Sequence, residues 1–314
     1  MKIKPSKYPI HASPFYKLQS KSKLAAILKT TLPNLISIIK SKNIAGSYKE
    51  WPTEAKYPLS SHPALAHKPR NIQQPIGELR SIQDRMQTLL SRIELPDYLH
   101  SARKYRSYRT NAAAHLTPGA AFRIDIKKFY ESASDIYIQD FYRNVMLCSP
   151  DVSHLLTEIV CFRRRLPTGS PISPIMSFLA YAKMFDKINL LAIERKSTMT
   201  IYVDDIFLSG DGVTGEMVND VSKILREYSL IGHKVAYFKP EKIRVITGIT
   251  VAKNCLGITN KRKRKIRALI QELRSSTDPV IRAPYKSSLV GLLRESSNFD
   301  SHYKVFANAV ERWK

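Results

Sequence analysis

Cysteine is scarce in this sequence, which has only Cys148, Cys161 and Cys255 among its 314 residues. The three are too few and too widely spaced for a disulfide framework or a C-x-x-C zinc site, which favours a reducing compartment. Long apolar runs are also missing, because no stretch approaches the roughly 18 residues of a membrane-spanning helix. The first residues lack the apolar segment of a signal peptide. We therefore expect a soluble protein that is not secreted.

Glycine and proline are few, at 11 and 18 residues, and 43% of the chain is hydrophobic. This composition excludes collagen-like and low-complexity chains, and it predicts a globular protein with a substantial core. The length suits one large domain or two modest ones.

Acidic residues are outnumbered, since 26 Asp and Glu stand against 51 Lys and Arg and give a formal net charge of +25. So strong a field favours the phosphate backbone of nucleic acid as a partner, with an anionic membrane surface as the alternative. Residues 1–49 contain ten lysines and no acidic residue. We interpret residues 1–60 as a basic, RNA-facing N-terminal extension. A mitochondrial transit peptide is disfavoured, because the basic residues of 1–49 are all lysine.

Hydrophobic periodicity predicts an α+β fold. Apolar residues recur at helical spacing over about 76–94, and they alternate with polar residues near 120–126 as in a half-buried strand. Residues 198–210 are typical of two strands around an acidic tip. After Gly257 the pattern becomes mostly helical and begins with a run of basic residues.

Three carboxylates are predicted to lie on these strands: Asp125, and the adjacent pair Asp204 and Asp205 in an otherwise apolar context. Neighbouring acids repel each other and are costly to desolvate, so a compensating group is expected. Two Mg²⁺ ions would suit this role, because Mg²⁺ prefers carboxylates together with substrate phosphates. An acidic hairpin turn with its side chains in water is the alternative.

Five boxes then stand in order along the chain: KPRNIQQP (68–75), Asp125 followed by Phe129-Tyr130, LPTGSPISP (166–174), YVDD (202–205) and GHKVAYFKP (232–240). In this order and spacing the chain resembles a reverse transcriptase. The segment Asn111-Ala-Ala-Ala-His115 is similar to the N-A-x-x-H motif of bacterial retron reverse transcriptases. Val245-Ile-Thr-Gly248 is similar to their V-T-G motif. The resemblance covers about residues 65–255.

The resemblance implies a right-hand polymerase fold, with fingers, a palm whose antiparallel sheet carries YVDD, and a helical thumb. It implies that Asp125, Asp204 and Asp205 bind the two Mg²⁺ ions. It assigns the following residues to the substrate: Arg70 and Lys68 to the triphosphate, Tyr130 to exclusion of a ribose 2′-OH, Tyr202 to the catalytic turn, Gly169 to a backbone contact with the nucleotide, and Lys239, beside Lys242, to the pyrophosphate leaving group. Thr168 stands where the family often has Gln, so its contact with the nucleotide stays open.

Other residues are candidates for contact with RNA. Asn111 and His115 are spaced to share a helical face, where they would read RNA or orient a nearby loop; a buried structural histidine is the alternative. Thr247 and Gly248 lie in the second retron-like motif. The basic run at the start of the C-terminal helical region would bind RNA phosphates, with a merely solvated helix start as the alternative: Lys261, Arg262, Lys263, Arg264, Lys265 and Arg267.

These observations predict fingers and palm over 61–252 and an RNA-binding thumb over 253–314. The resemblance implies a cytoplasmic bacterial enzyme that uses deoxynucleoside triphosphates to copy a cognate structured non-coding RNA into RNA-linked single-stranded DNA. It further implies an effector protein from the same locus and defence against phage. Two alternatives stay open: another defence-associated polymerase of this kind, untemplated or protein-primed, and a non-catalytic RNA-binding scaffold.

Overall fold

The computed structural model describes residues 7–42, 46–57, 60–117, 119–252, 255–275 and 277–313. Its first half contains α1 (Lys21–Ile27), α2 (Leu32–Ser41), β1 (Tyr48–Pro52), β2 (Asn71–Pro75), α3 (Gly77–Leu90), α4 (Tyr108–Ala113), β3 (Ala120–Ile126), α5 (Phe129–Ser132), α6 (Asp135–Asp140) and α7 (Pro150–Val160). Its second half contains α8 (Ser173–Ala180), α9 (Ala182–Glu194), β4 (Ser197–Tyr202), β5 (Asp205–Gly210), α10 (Gly215–Glu227), β6 (Gly232–Phe238), β7 (Arg244–Ile246), β8 (Ile249–Ala252), β9 (Cys255–Ile258), α11 (Asn260–Ser275), α12 (Pro279–Ser296) and α13 (His302–Glu311).

The central sheet has the strand order β4-β5-β3-β6, and every neighbouring pair is antiparallel. In β3 the side chains of Phe122, Ile124 and Ile126 are fully buried, whereas Arg123 and Asp125 are only partly buried. The alternation therefore directs apolar side chains into the core and leaves the polar ones on the opposite face. The α+β prediction is confirmed.

The main hydrophobic core lies between this sheet and the helices around it. The predicted helix at 76–94 is α3, which ends at Leu90 and directs Leu79, Ile82 and Met86 into the core. The N-terminal segment contributes to the same core through Phe15, Leu24 and other apolar residues. Residues 7–42 are thus packed on the body of the protein, while residues 1–6 of the predicted extension lie outside the described residues.

Helices α11–α13 form a second, smaller core. The segment before β2 joins this core, because the rings of Tyr57 and Tyr285 stack at 5.1 Å and Ser60 Oγ donates a hydrogen bond to Glu272 Oε1 at 2.5 Å. Strand β1 pairs with β2, and β8 pairs with β9. Both pairs join residues on either side of a predicted segment boundary, at 60/61 and at 252/253.

None of the helices in the described ranges has the length and apolar character needed to cross a membrane.

Candidate functional site

The three predicted carboxylates lie at one end of the central sheet. Asp125 of β3 is the register partner of Asp205 at the start of β5, so the two side chains share a face. Asp204 occupies the turn between β4 and β5, where its backbone oxygen accepts a hydrogen bond of 2.8 Å from Ile126 N. Strand pairing therefore brings together Asp125 and Asp205, which are 80 positions apart.

Basic side chains from neighbouring strands face two of these carboxylates. Lys234 Nζ lies 3.3 Å from Asp125 Oδ2, and His233 Nδ1 lies 3.1 Å from Asp125 Oδ1. Arg123 Nε is 3.9 Å from Asp205 Oδ1 and makes no hydrogen bond of its own within the described structure. The site therefore combines three acids with cations from β3 and β6.

The pKa values of Asp204 and Asp205 indicate that the charged forms of these carboxylates are destabilised. Burial, followed by the charge of Asp125, raises the pKa of Asp204. Burial raises the pKa of Asp205 to about 6, against the opposing effect of Arg123 and with a further increase from Asp204. Desolvation and mutual repulsion destabilise the charged carboxylates, so added positive charge would stabilise the site.

Three carboxylates suit Mg²⁺, which takes oxygen ligands and keeps several waters. In the part of the chain that the structure describes, however, no three His, Cys, Asp or Glu side chains are grouped closely enough to hold a metal ion. Asp125 is instead engaged by Lys234 and His233. The donor chemistry fits Mg²⁺, and a metal that used all three acids would have to compete with Lys234 for Asp125.

Two tyrosines adjoin the acids. Burial raises the pKa of Tyr130, and the negative charge of Asp204 raises it further, so the phenol lies within electrostatic reach of that carboxylate. Tyr130 lies in α5, where its ring is 6.3 Å from that of Phe129. Tyr202 ends β4 and is the register partner of Asp205. The structure therefore brings both predicted residues to the carboxylate end of the sheet.

Arg70 also reaches this site. It immediately precedes β2, and its positive charge lowers the pKa of Asp204, as the smallest of the causes acting on that group. Its backbone is fixed to Thr53, whose Oγ1 accepts a hydrogen bond of 3.0 Å from Arg70 N. Lys68 is exposed two residues earlier. Arg70 is thus within electrostatic range of Asp204, with its side chain exposed to solvent.

The loop at 166–174 is packed against β2. Gly169 N donates a hydrogen bond of 3.0 Å to Gln73 O, and a Cβ at Gly169 would lie only 2.8 Å from that oxygen. Thr168 Oγ1 donates to Asn71 O at 2.8 Å and accepts from Gln73 N at 3.3 Å. The N–H of Gly169 is therefore used to hold β2, and the predicted backbone contact of Gly169 with the nucleotide stays a prediction. The same holds for the Thr168 hydroxyl.

Lys239 is not near the carboxylates. Strand β6 runs antiparallel to β3, so His233 pairs with Asp125 while Phe238, at the other end, pairs with Ala121. The six residues from His233 to Lys239 place the lysine about 20 Å along the strand from the acids. The predicted catalytic role of Lys239 is thus not supported, and Lys242, three residues later, lies in the turn beyond it. Lys234, rather than Lys239, is the lysine of this segment that contacts Asp125.

Asn111 and His115 are buried, with 1% and 0% of their surfaces exposed. His115 Nδ1 is 2.6 Å from Ser209 Oγ and His115 Nε2 is 2.7 Å from Thr200 Oγ1, so the ring bridges β5 and β4. Neither side chain is accessible to RNA. The prediction of RNA contact is corrected to the alternative, a structural role, because both ring nitrogens are already satisfied within the protein.

Thr247 and Gly248 form the two-residue turn between β7 and β8, with φ values of 44° and 80°. Both positive values are typical of the tight hairpin turns in which glycine is favoured. Thr247 Oγ1 donates a hydrogen bond of 3.0 Å to Tyr108 O of α4, the helix that contains Asn111. Helix α4, which contains the first residues of one retron-like motif, is therefore hydrogen-bonded to the turn of the other, while RNA contact by Thr247 and Gly248 stays a prediction.

The basic run at the start of α11 divides into two groups. Arg262 is mostly buried and its guanidinium donates to Glu295 Oε1 at 2.9 Å, while Lys265 Nζ lies 5.8 Å from the centre of the Tyr57 ring. Burial lowers the pKa of Lys265. The remaining members are exposed and available to a polyanion: Lys261, Lys263, Arg264 and Arg267. Only this second group keeps the predicted geometry for RNA contact.

Ser101 is a site residue that sequence reasoning missed. Its side chain is 5% exposed, and its Oγ accepts a hydrogen bond of 2.9 Å from Val203 N in the catalytic turn. Val203 has a φ of 59°, an unfavourable value for a β-branched residue. No local pattern marks Ser101, because it reaches the turn from 102 positions away. His233 and Lys234 were visible in the fifth box, but only the register with β3 shows which lysine faces Asp125.

Comparison with known proteins finds retron reverse transcriptases among the sequence relatives. No family model matches the chain. The chain is 27% identical over 262 residues to the retron Se72 reverse transcriptase of Salmonella heidelberg, an alignment that covers 79% of this chain and 65% of that protein. It is 25% identical to the retron Ec86 reverse transcriptase of Escherichia coli, over 65% of each chain. It is also 25% identical to the retron Mx65 reverse transcriptase of Myxococcus xanthus, over 71% of this chain and 57% of that one.

A solved structure of a foamy viral protease-reverse transcriptase in complex with double-stranded DNA has a TM-score of 0.46 and 16% identity, covering 100% of this chain and 48% of that one. The chain spans slightly less than two thirds of the length of the curated relatives it matches. The resemblance to the retron reverse transcriptases that the ordered motifs indicated is confirmed by these sequence relatives.

Proposed function

We propose that the protein is an RNA-directed DNA polymerase of the retron type. The observation that carries the proposal is the convergence of Asp125, Asp204 and Asp205 at one end of the central sheet. Each comes from a box that stands in reverse-transcriptase order in the sequence, and the sequence relatives are named retron reverse transcriptases. An acidic hairpin turn in water would not account for the burial that raises the pKa values of Asp204 and Asp205.

In this proposal the central sheet is the palm of a right-hand polymerase. Residues 61–252 would supply fingers and palm, and residues 253–314, with the core of α11–α13, would supply the thumb. Residues 1–60 would be a basic N-terminal segment, packed on the body through residues such as Leu24 and Leu35. The exposed basic residues of α11 would then face the RNA.

The chemistry would depend on the three carboxylates as ligands of two Mg²⁺ ions. Bound there, the metal would supply Lewis-acid stabilisation of the attacking and leaving oxygens in an in-line phosphoryl transfer. Lys234 and His233 would hold Asp125 in place until the substrate complex forms. Arg70, exposed and within electrostatic range of Asp204, would contact the triphosphate, since its guanidinium can bind phosphate in a bidentate manner.

Tyr130 would select the sugar. Its phenol lies within electrostatic reach of Asp204, so an incoming nucleotide held at the acids would meet the ring. A rigid ring below the sugar penalises an added 2′-OH by steric clash, whereas a deoxyribose fits. This favours deoxynucleoside triphosphates as substrates.

The retron assignment carries further expectations that belong to the proposal. The template would be a cognate structured non-coding RNA, priming would start from a 2′-OH within it, and the product would be RNA-linked single-stranded DNA. An effector protein from the same locus would act with the enzyme in defence against phage, in the bacterial cytoplasm. An untemplated or protein-primed polymerase and a non-catalytic RNA-binding scaffold are the competing functions.

The test compares nucleic acids that co-purify with the protein when it is expressed with its native flanking DNA. We expect wild type to carry a short DNA that shifts in size after RNase digestion, and we expect Asp204→Asn to carry none. Asp211→Asn is the matched control, because it removes the same charge from an exposed residue just beyond β5. A protein-linked DNA would favour the protein-primed alternative. Equal RNA and no DNA in wild type and Asp204→Asn would favour the scaffold.

A further inference from the structure

A cavity lies between the C-terminal end of α3 and the loop at 103–105, and none of the three carboxylates lines it. It has a volume of about 300 Å³, at the lower end of the range for small-ligand pockets. The residues that line it include Gln87, Ser91, Leu95 and Tyr105. We call it the Tyr105 cavity.

The Tyr105 cavity is cationic. Lys7, Arg92 and Lys104 line it, and no acidic side chain is among its described lining residues. Arg103 also lines it, but its guanidinium is held by Asp97 at 3.2 Å and therefore serves to shape the loop. The guanidinium of Arg92 also lies over the ring of Tyr8, 4.9 Å from its centre. Four cationic side chains line the cavity and one carboxylate adjoins it, so the net positive charge favours a phosphate-bearing ligand.

Tyr105 supplies an aromatic surface beside these charges. Its side chain is 76% exposed, and its backbone has a φ of 65°, so a bulky residue is kept in a left-handed conformation at the surface. Ala102 in the same loop has a φ of 49°. An exposed ring next to lysines is the combination that binds single-stranded nucleic acid, because a base stacks on the ring while the cations contact its phosphates.

The loop that carries Tyr105 also contacts the catalytic turn. Ile201 N of β4 donates to Tyr98 O at 2.8 Å, and His100 N donates back to Ile201 O at 2.9 Å. Ser101 then accepts the hydrogen bond from Val203. Tyr105 is four positions after Ser101, so the two α-carbons are at most about 14 Å apart. A strand bound in the Tyr105 cavity would therefore lie close to the turn that holds Asp204.

We propose that the Tyr105 cavity binds one unstacked nucleotide of a single-stranded RNA, with the base against Tyr105 and the phosphates at Lys7, Arg92 and Lys104. This site is separate from the carboxylates and rests on the proposed function only for the choice of RNA as the ligand. It anchors a single-stranded segment outside the duplex that copying of the template would form.

The test measures binding of a fluorescein-labelled oligouridylate to the full chain by fluorescence anisotropy. We expect Tyr105→Ala to weaken binding at least about fivefold through the loss of stacking, and Tyr105→Phe to bind as wild type does. Lys104→Ala should lower the slope of log affinity against log salt by about 0.7, the value for one phosphate contact of a single strand. Lys223→Ala is the matched control, because it removes an exposed lysine from α10 and should leave that slope unchanged.

A second measurement uses the same RNA containing 5-iodouridine. Irradiation of the wild-type complex should crosslink Tyr105, identified by mass spectrometry, whatever the stability of the variants. Unchanged affinity in Tyr105→Ala together with no crosslink at Tyr105 would overturn the proposal. Failure of the full chain to bind this RNA at all would also overturn it.

Incorporation of deoxynucleotides is measured separately on a primed template. If wild type fails to incorporate but Tyr105 still crosslinks, the proposed function is wrong and the RNA site stands. If wild type incorporates deoxynucleotides, and Tyr105→Ala binds RNA as wild type does with no crosslink at Tyr105, only the proposed RNA site is wrong.

Discussion

Replacing His115 by Gln should change how the stability of the protein depends on pH. The imidazole is fully buried and bridges Ser209 and Thr200 through both ring nitrogens. Burial, followed by the positive charges of Arg244 and His100, lowers the pKa of His115 from 6.5 to about 3. The folded protein therefore keeps this ring neutral over a pH range in which the unfolded chain protonates it.

The size of the effect follows from that difference. The contribution of His115 to the free energy of unfolding has its full value above pH 6.5. It falls as the pH drops towards 3, because over this range only the unfolded state takes up a proton on His115. Between pH 7 and pH 5, protonation of His115 in the unfolded chain should cost the wild type about 2 kcal/mol. His115→Gln has no such pH-dependent cost, but it loses the pair of hydrogen bonds from the ring to Ser209 and Thr200. That loss should lower the free energy of unfolding by about 1–3 kcal/mol at pH 7.

The assay is urea unfolding followed by circular dichroism at several pH values between these limits. The deficit of His115→Gln relative to wild type should shrink by about 2 kcal/mol from pH 7 to pH 5, since the other titrating groups are common to both proteins. His154→Gln removes an exposed histidine from α7 and serves as the control. A deficit that stays constant with pH would refute the assignment of His115 as a buried neutral bridge.

Three further predictions follow from contacts in the fold. Ser101→Ala leaves the partly buried N–H of Val203, in the turn that carries Asp204, without its acceptor, so nucleotide incorporation should fall by about tenfold at saturating template. An unchanged rate would contradict this role. Gly169→Ala places a Cβ against the backbone of β2 and should lower stability by about 1–3 kcal/mol in thermal unfolding, whereas Gly291→Ala, where the added atom meets open space, should not. Arg262→Ala removes a mostly buried ion pair and should lower the melting temperature by several degrees, about 1–3 kcal/mol. Lys263→Ala should leave the melting temperature unchanged but reduce the salt dependence of RNA binding, and the opposite result for either variant would show that the two faces of α11 are wrongly assigned.

Much of the site could be predicted because its residues belong to short, ordered boxes. Alternation in β3 places Asp125 on the polar face of a strand, and the hairpin at 198–210 places Asp204 and Asp205 at its tip. Both are local consequences of a two-residue period, so neither required knowledge of the rest of the fold. The fold class followed from the same periodicities.

The roles of single polar residues could not be predicted in this way. A motif shows that His115 and Gly169 matter, but burial decides that His115 bridges two strands and that the Gly169 N–H holds β2. Register likewise decides that Lys234, and not Lys239, faces Asp125.

The sequence by itself determined the charge, the apolar periodicities and the order of the boxes, because each is a property of neighbouring residues. The tertiary structure alone decided the contact of Ser101 with Val203, the division of the α11 cations and the Tyr105 cavity. These features join residues far apart in the chain. Their geometry depends on how strands pair and helices pack, which no local pattern contains.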